Sequence, residues 1–345
     1  MPGGIGTYVR GLLKGLGQLD DPRPDVTLLA GRAGPRLDTL AGSAARVVRS
    51  RLPEPVLTRA WARGLATAPD GYDVVHAPSL AAPPSPAAPL AVVVHDLAWL
   101  QVPDAFPRRG RRWHDAALAR AMAHATVLVA QTRDTADALL HLGARVDQVE
   151  VLEPLNGCDH LPPADTAGAV ALLDRLGVRG PYLLSVGTLE PRKNLGRLME
   201  AYQRARPTLP EPWPLVVAGP PGWGRGVEPR PGVVLAGLVD DAVLAALYAQ
   251  ARCVVHVPVL EGFGLPAVEA MMAAVPVVAS PMPSTGGAAL EVDPLDVDAI
   301  AAGVVRASTD ERVRSQLVTA GLVRARELTW KAAASRHVAL WGALA

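Results

Sequence analysis

Short apolar runs alternate with longer amphipathic segments along most of the chain. The runs are rich in β-branched residues, and several are apolar at every position, which is typical of parallel strands that are buried on both faces. They predict strands at 25–30, 73–76, 91–95, 126–130, 148–152, 182–187, 215–219, 233–236, 253–257 and 276–280. Helical periodicity predicts helices at 8–16, 111–123, 132–142, 195–203, 241–251, 265–274 and 297–307.

A loop at 156–166, rich in Pro and Asp, separates two series of these strand–helix units. A chain of 345 residues exceeds one ordinary hydrophobic core, so two domains are expected. The alternation predicts an α/β fold with two doubly wound, Rossmann-like domains that face a central cleft. We assign residues 1–160 to the first domain and 161–325 to the second.

The chain opens on a glycine-containing segment that leads into the helix predicted at 8–16. Such a loop normally follows a strand, because the strand delivers it to the carboxyl edge of the sheet. No predicted strand precedes it here. We therefore expect a first strand to lie upstream of Met1 in the natural protein.

Composition narrows the classes of function. Half of the residues are apolar, 19% are charged and the formal net charge is +1, so the overall charge gives no attraction to nucleic acid. No apolar run reaches the roughly 18 residues of a membrane span, and no signal-peptide pattern opens the chain. Cys158 and Cys253 lie in apolar stretches without metal-site spacing and are expected to be buried thiols. These features indicate a cytoplasmic protein.

The first candidate binding segment follows the strand that ends at Gly187. It reads TLEPRKNL and places Arg192 and Lys193 just before a helix, with Asn194 as the predicted N-cap. The pair therefore lies at the carboxyl edge of a parallel sheet beside a helix N-terminus, where anionic ligands bind. For this segment alone, a solvated turn is an equally good interpretation.

The second candidate segment, EGFGLPAVEAM, carries two carboxylates. Glu261 lies on a loop whose glycines, Gly262 and Gly264, permit close backbone approach, and the amides of 263–265 can point at an anion or a hydroxyl. Glu269 lies about one turn into the next helix among apolar neighbours, so it needs a partner or a ligand. The two carboxylates are placed to bind two sets of hydroxyls on one extended ligand, although Glu269 could also be an ordinary exposed helix residue.

Seven segments in a fixed order carry a resemblance to a known family. They read GGIGTYVRGLL, DVVHAPS, VVVHDLAWL, NGCD, VGTLEPRKNL, EGFGLPAVEAM with PVVAS, and LTWKAAASR. In this order the chain resembles glycosyltransferase family 4 over nearly its whole length. The resemblance implies a retaining enzyme of the GT-B fold, and a C-terminal helix at 326–345 that crosses back to the first domain.

The resemblance also implies roles for residues at matching positions. Arg192 and Lys193 match the pair that binds the donor diphosphate, Glu261 the carboxylate at the donor sugar, and Glu269 the carboxylate at the nucleotide ribose. His95 matches a histidine near the transferred sugar, whereas a histidine at a strand end is otherwise more often structural. The implied catalytic residues are His95, Glu261, Arg192 and Lys193; the implied donor-binding residues are Gly4, Gly6, Gly187, Arg192, Lys193, Glu261, Gly262, Phe263, Gly264, Leu265 and Glu269.

The implied reaction moves a sugar from a nucleotide-sugar to a hydroxyl of a saccharide or lipid-linked acceptor. Preformed cations at the diphosphate favour the transition state, because negative charge develops on the leaving group. No carboxylate nucleophile with a matching acid is recognisable, which fits a same-face mechanism in which the diphosphate helps to deprotonate the acceptor. No cofactor and no metal are expected. GDP-mannose is the expected donor, by similarity to bacterial mannosyltransferase-like members, with UDP- and dTDP-sugars left open.

Other interpretations compete with this one. A dinucleotide-binding enzyme is disfavoured because Gly4 and Gly6 lack the third glycine of its fingerprint. Asp296 and Asp298 match a metal-site pattern of other glycosyltransferases, but they open a helix and are better explained as its N-cap and first-turn charges. The basic aromatic cluster at 106–113 is interpreted as a solvated loop, with peripheral contact at the inner face of a membrane as the alternative.

The segment after Ser280 departs from the family pattern. It is several residues shorter than usual and lacks a Pro-Glu pair that normally lies by the donor. This leaves a second possible function, a catalytically degenerate protein that binds sugar nucleotides as a partner subunit. The presence of Arg192, Lys193, Glu261 and Glu269 favours the enzyme.

Overall fold

The computed structural model describes residues 4–32, 45–211, 213–223, 228 and 230–345, which form two units. The first unit takes in the described residues of Met1–Gln101, Arg108–His160 and Leu328–Ala345, and the second those of Val102–Pro107 and Leu161–Glu327. The segment Val102–Pro107, which the sequence assignment placed in the first domain, therefore belongs to the second unit.

The strands of both units pair in parallel, which confirms the α/β fold class. In chain order the described strands are β1 (Thr27–Ala30), β2 (Arg46–Arg49), β3 (Val75–Ala77), β4 (Leu90–Val94), β5 (Val127–Ala130), β6 (Val149–Val151), β7 (Leu183–Val186), β8 (Leu215–Ala218), β9 (Val233–Gly237), β10 (Cys253–His256), β11 (Val277–Ala279) and β12 (Leu290–Glu291).

The order of the strands in each sheet determines where the candidate binding segments lie. The first unit has a sheet of order β3-β4-β5-β6 and a separate pair, β1-β2, and the second has the order β12-β11-β10-β7-β8-β9. In the second unit the chain winds outward from β7 in both directions, so β7 and β10 become neighbours although they are far apart in sequence. This is a topological switch point, and open α/β sheets bind ligands beyond the carboxyl ends of the strands at such points.

Helices connect these strands. The described ones are α1 (Gly4–Gly17), α2 (Glu54–Ala62), α3 (Ala98–Gln101), α4 (Arg108–His124), α5 (Arg133–His141), α6 (Thr166–Arg175), α7 (Leu195–Ala205), α8 (Asp241–Gln250), α9 (Leu265–Met272), α10 (Val297–Thr309), α11 (Glu311–Glu327) and α12 (Trp330–Leu344). Among the described residues, no helix combines the length and the hydropathy that crossing a membrane requires.

The strands and helices predicted from the sequence are confirmed, with differences at their ends. The sequence did not predict β2, β12, α2, α3, α6 or α11. β2 is mostly exposed and β12 has two residues, so neither gives a strong apolar pattern. Asp296 accepts hydrogen bonds from the amides of Asp298 and Ala299 and so caps α10 as expected. Cys158 and Cys253 are buried, as predicted.

Two predictions about helix positions are wrong, and the helix predicted over 326–345 is confirmed with a later start. α1 begins at Gly4, so Gly4 and Gly6 lie in its first turn and not on a loop; the helix packs against α12, and packing outweighs the poor helix propensity of glycine. The basic cluster interpreted as a loop enters α4 at Arg108. The helix expected over 326–345 is interrupted after Glu327, and Thr329 caps a new helix by accepting a hydrogen bond from the amide of Ala332.

Trp330 is the central residue of the packing between α1 and α12, and its side chain is fully buried. Three glycines make room for it. A Cβ atom at Gly11 would lie 1.9 Å from the Trp330 ring, one at Gly15 2.0 Å from its carbonyl oxygen, and one at Gly157 2.2 Å from its amide nitrogen. Gly11 and Gly15 are therefore needed for the close contact between α1 and α12.

Candidate functional site

The candidate site of the second unit begins at the carboxyl end of β7. Gly187 has a φ of 153°, which residues with a side chain rarely adopt. Its amide donates to the carbonyl of Ala218 on β8, and a Cβ atom at Gly219 would lie 2.0 Å from the Gly187 carbonyl oxygen. A Cβ atom at Gly187 would itself lie 3.4 Å from Cε of Lys193. This last distance is an ordinary van der Waals contact, so it is the backbone conformation at Gly187 that favours glycine.

Arg192 and Lys193 follow on a short 3-10 turn, Pro191–Lys193. Arg192 donates from Nε and Nη2 to the same oxygen of Glu190, at 3.2 and 2.9 Å, and from Nη1 to the carbonyl of Leu260 at 3.1 Å. Glu190 is only 7% exposed, and burial raises its pKa although Arg192 and Lys193 oppose that effect. The buried carboxylate holds the guanidinium against the loop that follows β10.

Glu261 is the residue on which the cationic side chains converge. Its Oε2 atom accepts a hydrogen bond from Lys193 Nζ at 2.6 Å and lies 3.2 Å from Nη1 of Arg192. Burial alone would raise the pKa of Glu261, but the charges of Lys193 and Arg192 hold that pKa well below its ordinary value. The three residues predicted to contact the donor diphosphate and sugar are therefore in direct contact with one another.

His256 also faces Glu261, and the sequence analysis did not single it out. It is the last residue of β10, is 3% exposed, and places Nε2 3.7 Å from Oε2 of Glu261. Burial lowers the pKa of this imidazole. Its position at a strand's carboxyl end, which drew attention to His95, was a signal available in the sequence.

Glu269 lies on α9 and is buried, as its apolar neighbours in the sequence indicate. Its Oε2 atom accepts a hydrogen bond at 2.7 Å from the hydroxyl of Tyr248, which the preceding helix, α8, supplies. Burial, together with this carboxylate, raises the pKa of Tyr248 well above its ordinary value. Tyr248 is therefore one partner of Glu269, as the apolar surroundings of this carboxylate required.

The glycine loop before α9 is closed by the shortened segment after Ser280. Gly264 has a φ of 97°, and a Cβ atom there would lie 2.2 Å from the sulfur of Met282. Ser284 is fully buried; its amide donates to the carbonyl of Phe263 and its hydroxyl to that of Gly264. Leu265 is the first residue of α9. The short segment thus packs directly on residues 263–264, where the backbone has no room for a side chain at position 264.

Asn194 acts differently from the prediction. Its side chain does not cap α7, because the residue adopts a left-handed conformation with a φ of 60°. Instead its Nδ2 atom donates to the carbonyls of Val257 at 3.0 Å and Pro294 at 2.7 Å. Asn194 therefore ties the turn after β7 to the chain that leaves β10, and so supports the geometry of the cluster.

The remaining predicted site residues lie in the first unit. His95 follows β4, is half-buried, and donates from Nε2 to the carbonyl of Pro78 at 2.9 Å. Its ring packs edge-on against Tyr8, with 5.2 Å between the centroids. Gly4 and Gly6 are in the first turn of α1, and no atom of the described residues lies within 4 Å of a Cβ atom placed at Gly4.

A buried chain of hydrogen bonds runs beside His95. Trp341 Nε1 donates to His76 Nδ1 at 3.3 Å, so His76 Nε2 carries a proton and donates to the hydroxyl of Tyr8 at 2.9 Å. That hydroxyl donates to His337 Nε2 at 2.6 Å, and His337 Nδ1 donates to the carbonyl of Ala333 at 2.7 Å. Each bond fixes the direction of the next, and the chain is complete only when both imidazoles are neutral.

We expect the first unit to lose stability in mild acid. Burial lowers the pKa of His337 to about 4 and those of His76 and His95 below their ordinary value. Unfolded histidines bind protons below about pH 6.5 and the folded ones do not, so stability is complete above that pH and falls as the pH decreases toward 4. His337 alone accounts for about 3 kcal/mol. Urea unfolding measured between pH 8 and pH 4.5 will show the loss. His141→Gln, at an exposed histidine, should leave the profile unchanged, and a flat profile from pH 6.5 to 5 would contradict the expectation.

Known proteins resemble this chain in sequence. The family profile described as Glycosyltransferase Family 4 matches residues 2–155, and the one described as Glycosyl transferases group 1 matches residues 180–310. The O-antigen chain mannosyltransferase B of Escherichia coli is 31% identical over 252 residues, which are 69% of this chain and 66% of the relative. The phosphatidyl-myo-inositol mannosyltransferase of Mycobacterium tuberculosis is 29% identical over 212 residues, 57% of this chain and 55% of the relative. The chain belongs to glycosyltransferase family 4.

The chain does not span these relatives completely, and it covers only 23% of the Escherichia coli serotype-specific mannosyltransferase WbdA, to which it is 28% identical. Solved structures extend the likeness in fold. Anabaena HepE in complex with UDP and glucose aligns with a TM-score of 0.72 at 18% identity, covering 100% of this chain and 97% of the other. Sucrose-phosphate synthase from Thermosynechococcus elongatus aligns with a TM-score of 0.70 at 21% identity, covering 99% and 94%. These structures confirm the GT-B fold class.

Proposed function

We propose that the protein is a retaining glycosyltransferase that transfers a sugar from a nucleotide-sugar to an acceptor hydroxyl without a metal ion. The observation that carries the proposal is the convergence of Arg192, Lys193 and Glu261 at the switch point between β7 and β10. A diphosphate at this edge meets two cations that are already held in place, and such preorganised charge stabilises a leaving group as its negative charge develops.

The positive and negative charges of the site balance one another. Arg192 and Lys193 are the two cations, and Glu190 and Glu261 are the carboxylates that face them. A donor diphosphate that binds Lys193 and Arg192 therefore competes with Glu261. In the proposed complex, Glu261 turns to the hydroxyls of the donor sugar and Glu269 contacts the ribose.

The remaining roles extend the proposal to the rest of the molecule. His95 contacts the transferred sugar, and Gly4 and Gly6 contribute backbone close to the donor. Gly187, Gly262, Phe263, Gly264 and Leu265 line the phosphates and the sugar. We propose GDP-mannose as the donor, supported by the named mannosyltransferases among the relatives. The acceptor is a saccharide or a lipid-linked saccharide, and for the latter the basic first turns of α4 would contact the membrane surface.

A donor screen followed by a transfer assay tests the function. GDP-mannose, UDP-glucose and dTDP-glucose are compared for their effect on the unfolding temperature, because a ligand that binds only the folded state stabilises it by mass action. GDP-mannose should give the largest increase. GDP release with methyl α-mannoside as acceptor should then proceed in EDTA, and NMR should show that the new linkage keeps the donor's anomeric configuration.

Three outcomes would contradict parts of the proposal. Stabilisation by a nucleotide-sugar without transfer or slow hydrolysis of any donor would identify the degenerate binding protein instead. Activity that EDTA abolishes would contradict the metal-free mechanism, and inversion of configuration would contradict the retaining one.

A further inference from the structure

The buried imidazole at the end of β10 has an unusual environment. His256 is almost fully buried, yet its Nε2 atom makes no hydrogen bond to any described part of the protein. Glu261 Oε2, at 3.7 Å, is beyond hydrogen-bond distance. An unsatisfied buried polar atom destabilises the folded protein, and such atoms need an explanation. Because this one points into the candidate donor site, a role in that site is the natural explanation.

Burial first, and then the charges of Lys193 and Arg192, lower the pKa of His256 and keep its imidazole neutral. Glu261 attracts a proton to the imidazole, but Lys193 and Arg192 occupy the same carboxylate oxygen and oppose that proton, as does burial. Glu190 lies behind Arg192. The flanking strands β7 and β11 have no titratable residue, and Glu269 on α9 is paired with Tyr248. A protonated His256 would therefore add a third positive charge to a cluster in which two cations already face two carboxylates.

Donor binding changes the balance of charge around Glu261 and His256, because it adds negative charge beside Lys193 and Arg192. A nucleotide-sugar carries two negative charges on its diphosphate, and Lys193 and Arg192 are the cations placed to meet them. Each interaction they make with phosphate weakens the one they make with Glu261. The sugar hydroxyls that Glu261 meets are neutral, so this buried carboxylate then needs a new positive charge beside it. His256 is already 3.7 Å away. A protonated imidazole supplies both the positive charge and a hydrogen-bond donor.

We propose that His256 takes up a proton when a nucleotide-sugar binds, and that the resulting imidazolium holds Glu261 in place of Lys193 and Arg192. The proposal rests on the proposed donor site. The proton comes from solvent and binds at Nε2, and no covalent bond of the donor changes in this step. Donor affinity then depends on pH through one histidine of the protein.

Calorimetry of GDP-mannose binding tests the proton directly. Both phosphates of this probe are diesterified, so it has no group of its own that titrates near neutral pH. Binding enthalpies are measured at pH 7.5 in HEPES and in Tris, whose ionisation enthalpies differ and which carry no phosphate, and the difference gives the protons taken up. We expect roughly 0.5 to 1 proton per site for the wild type, and an affinity that falls up to tenfold per pH unit above neutrality.

His256→Gln keeps a neutral N–H donor and removes the titration. It should bind with no proton uptake and with an affinity that barely changes with pH, whereas His141→Gln, at an exposed histidine, should behave like the wild type. Binding by the wild type without proton uptake overturns the proposal, as does uptake that survives in His256→Gln or is lost instead in Glu190→Gln. If neither GDP-mannose nor UDP-glucose binds the wild type, the proposed donor site itself is wrong, which is a different result. The wild-type measurement stands even if a variant fails to fold.

Discussion

Lys193→Met should lower kcat/KM for the nucleotide-sugar by about 10²- to 10³-fold, which corresponds to about 3–4 kcal/mol of transition-state stabilisation. The substitution keeps most of the apolar stem and removes the charge that contacts Glu261 at 2.6 Å and is placed to meet the departing diphosphate. Because the charge on the diphosphate grows as the bond breaks, kcat should fall more than KM rises. Initial rates of GDP release over a range of GDP-mannose concentrations will separate the two effects.

Lys331→Met is the matched control for this experiment. Lys331 is half-exposed and lies 3.7 Å from the exposed carboxylate of Asp20, and such surface pairs contribute little. Its removal should change neither kcat nor KM appreciably. If Lys193→Met keeps its rate within a factor of three while it remains folded by circular dichroism, the assigned role of the lysine is wrong.

Gly15→Ala should lower the free energy of unfolding by about 2–3 kcal/mol, although alanine is the better helix former. Gly15 lies inside α1, and the added Cβ atom would lie 2.0 Å from the carbonyl oxygen of Trp330 and 2.6 Å from its carbonyl carbon. Both are backbone atoms of the first turn of α12, so no side-chain rotation relieves the contact. The two helices have to separate, and the buried Trp330 loses packing.

Gly342→Ala in α12 makes the same chemical change, but it should leave the free energy of unfolding equal or raise it. In the part of the chain that the structure describes, nothing lies within 4 Å of a Cβ atom placed at Gly342. Helix propensity therefore decides the effect, and it favours alanine by up to about 1 kcal/mol. Thermal unfolding by calorimetry should therefore show a lower transition temperature for Gly15→Ala and an equal or higher one for Gly342→Ala. Two increases would show that α1 and α12 are not in the close contact described.

The binding segments were predictable because their local pattern is strong. A buried strand, a turn with charged residues and a helix recur at Arg192 and at Glu261, and parallel strands place such turns at one edge of a sheet. The apolar neighbours of Glu269 also indicated its burial correctly. These inferences need only periodicity and the geometry of strand–helix units.

The partners within the site were not predictable in the same way. Glu190 is in the same motif as Arg192, but nothing local shows that its carboxylate turns inward beneath the guanidinium. Tyr248 reaches Glu269 from the preceding helix. His256 became a candidate site residue only when the structure placed its Nε2 atom near Glu261. In each contact, the directions of the side chains depend on how separate helices, strands and loops pack together.

The sequence by itself determined the α/β class, most of the strands and helices, and the residues that carry charge at the ends of β7 and β10. It could do so because apolar periodicity and turn chemistry act over a few neighbouring residues. Only the three-dimensional structure shows that β7 and β10 are adjacent, that Lys193 and Arg192 share one oxygen of Glu261, and that α1 packs against α12 at Trp330. Strand order and side-chain direction come from long-range packing, which no local pattern records.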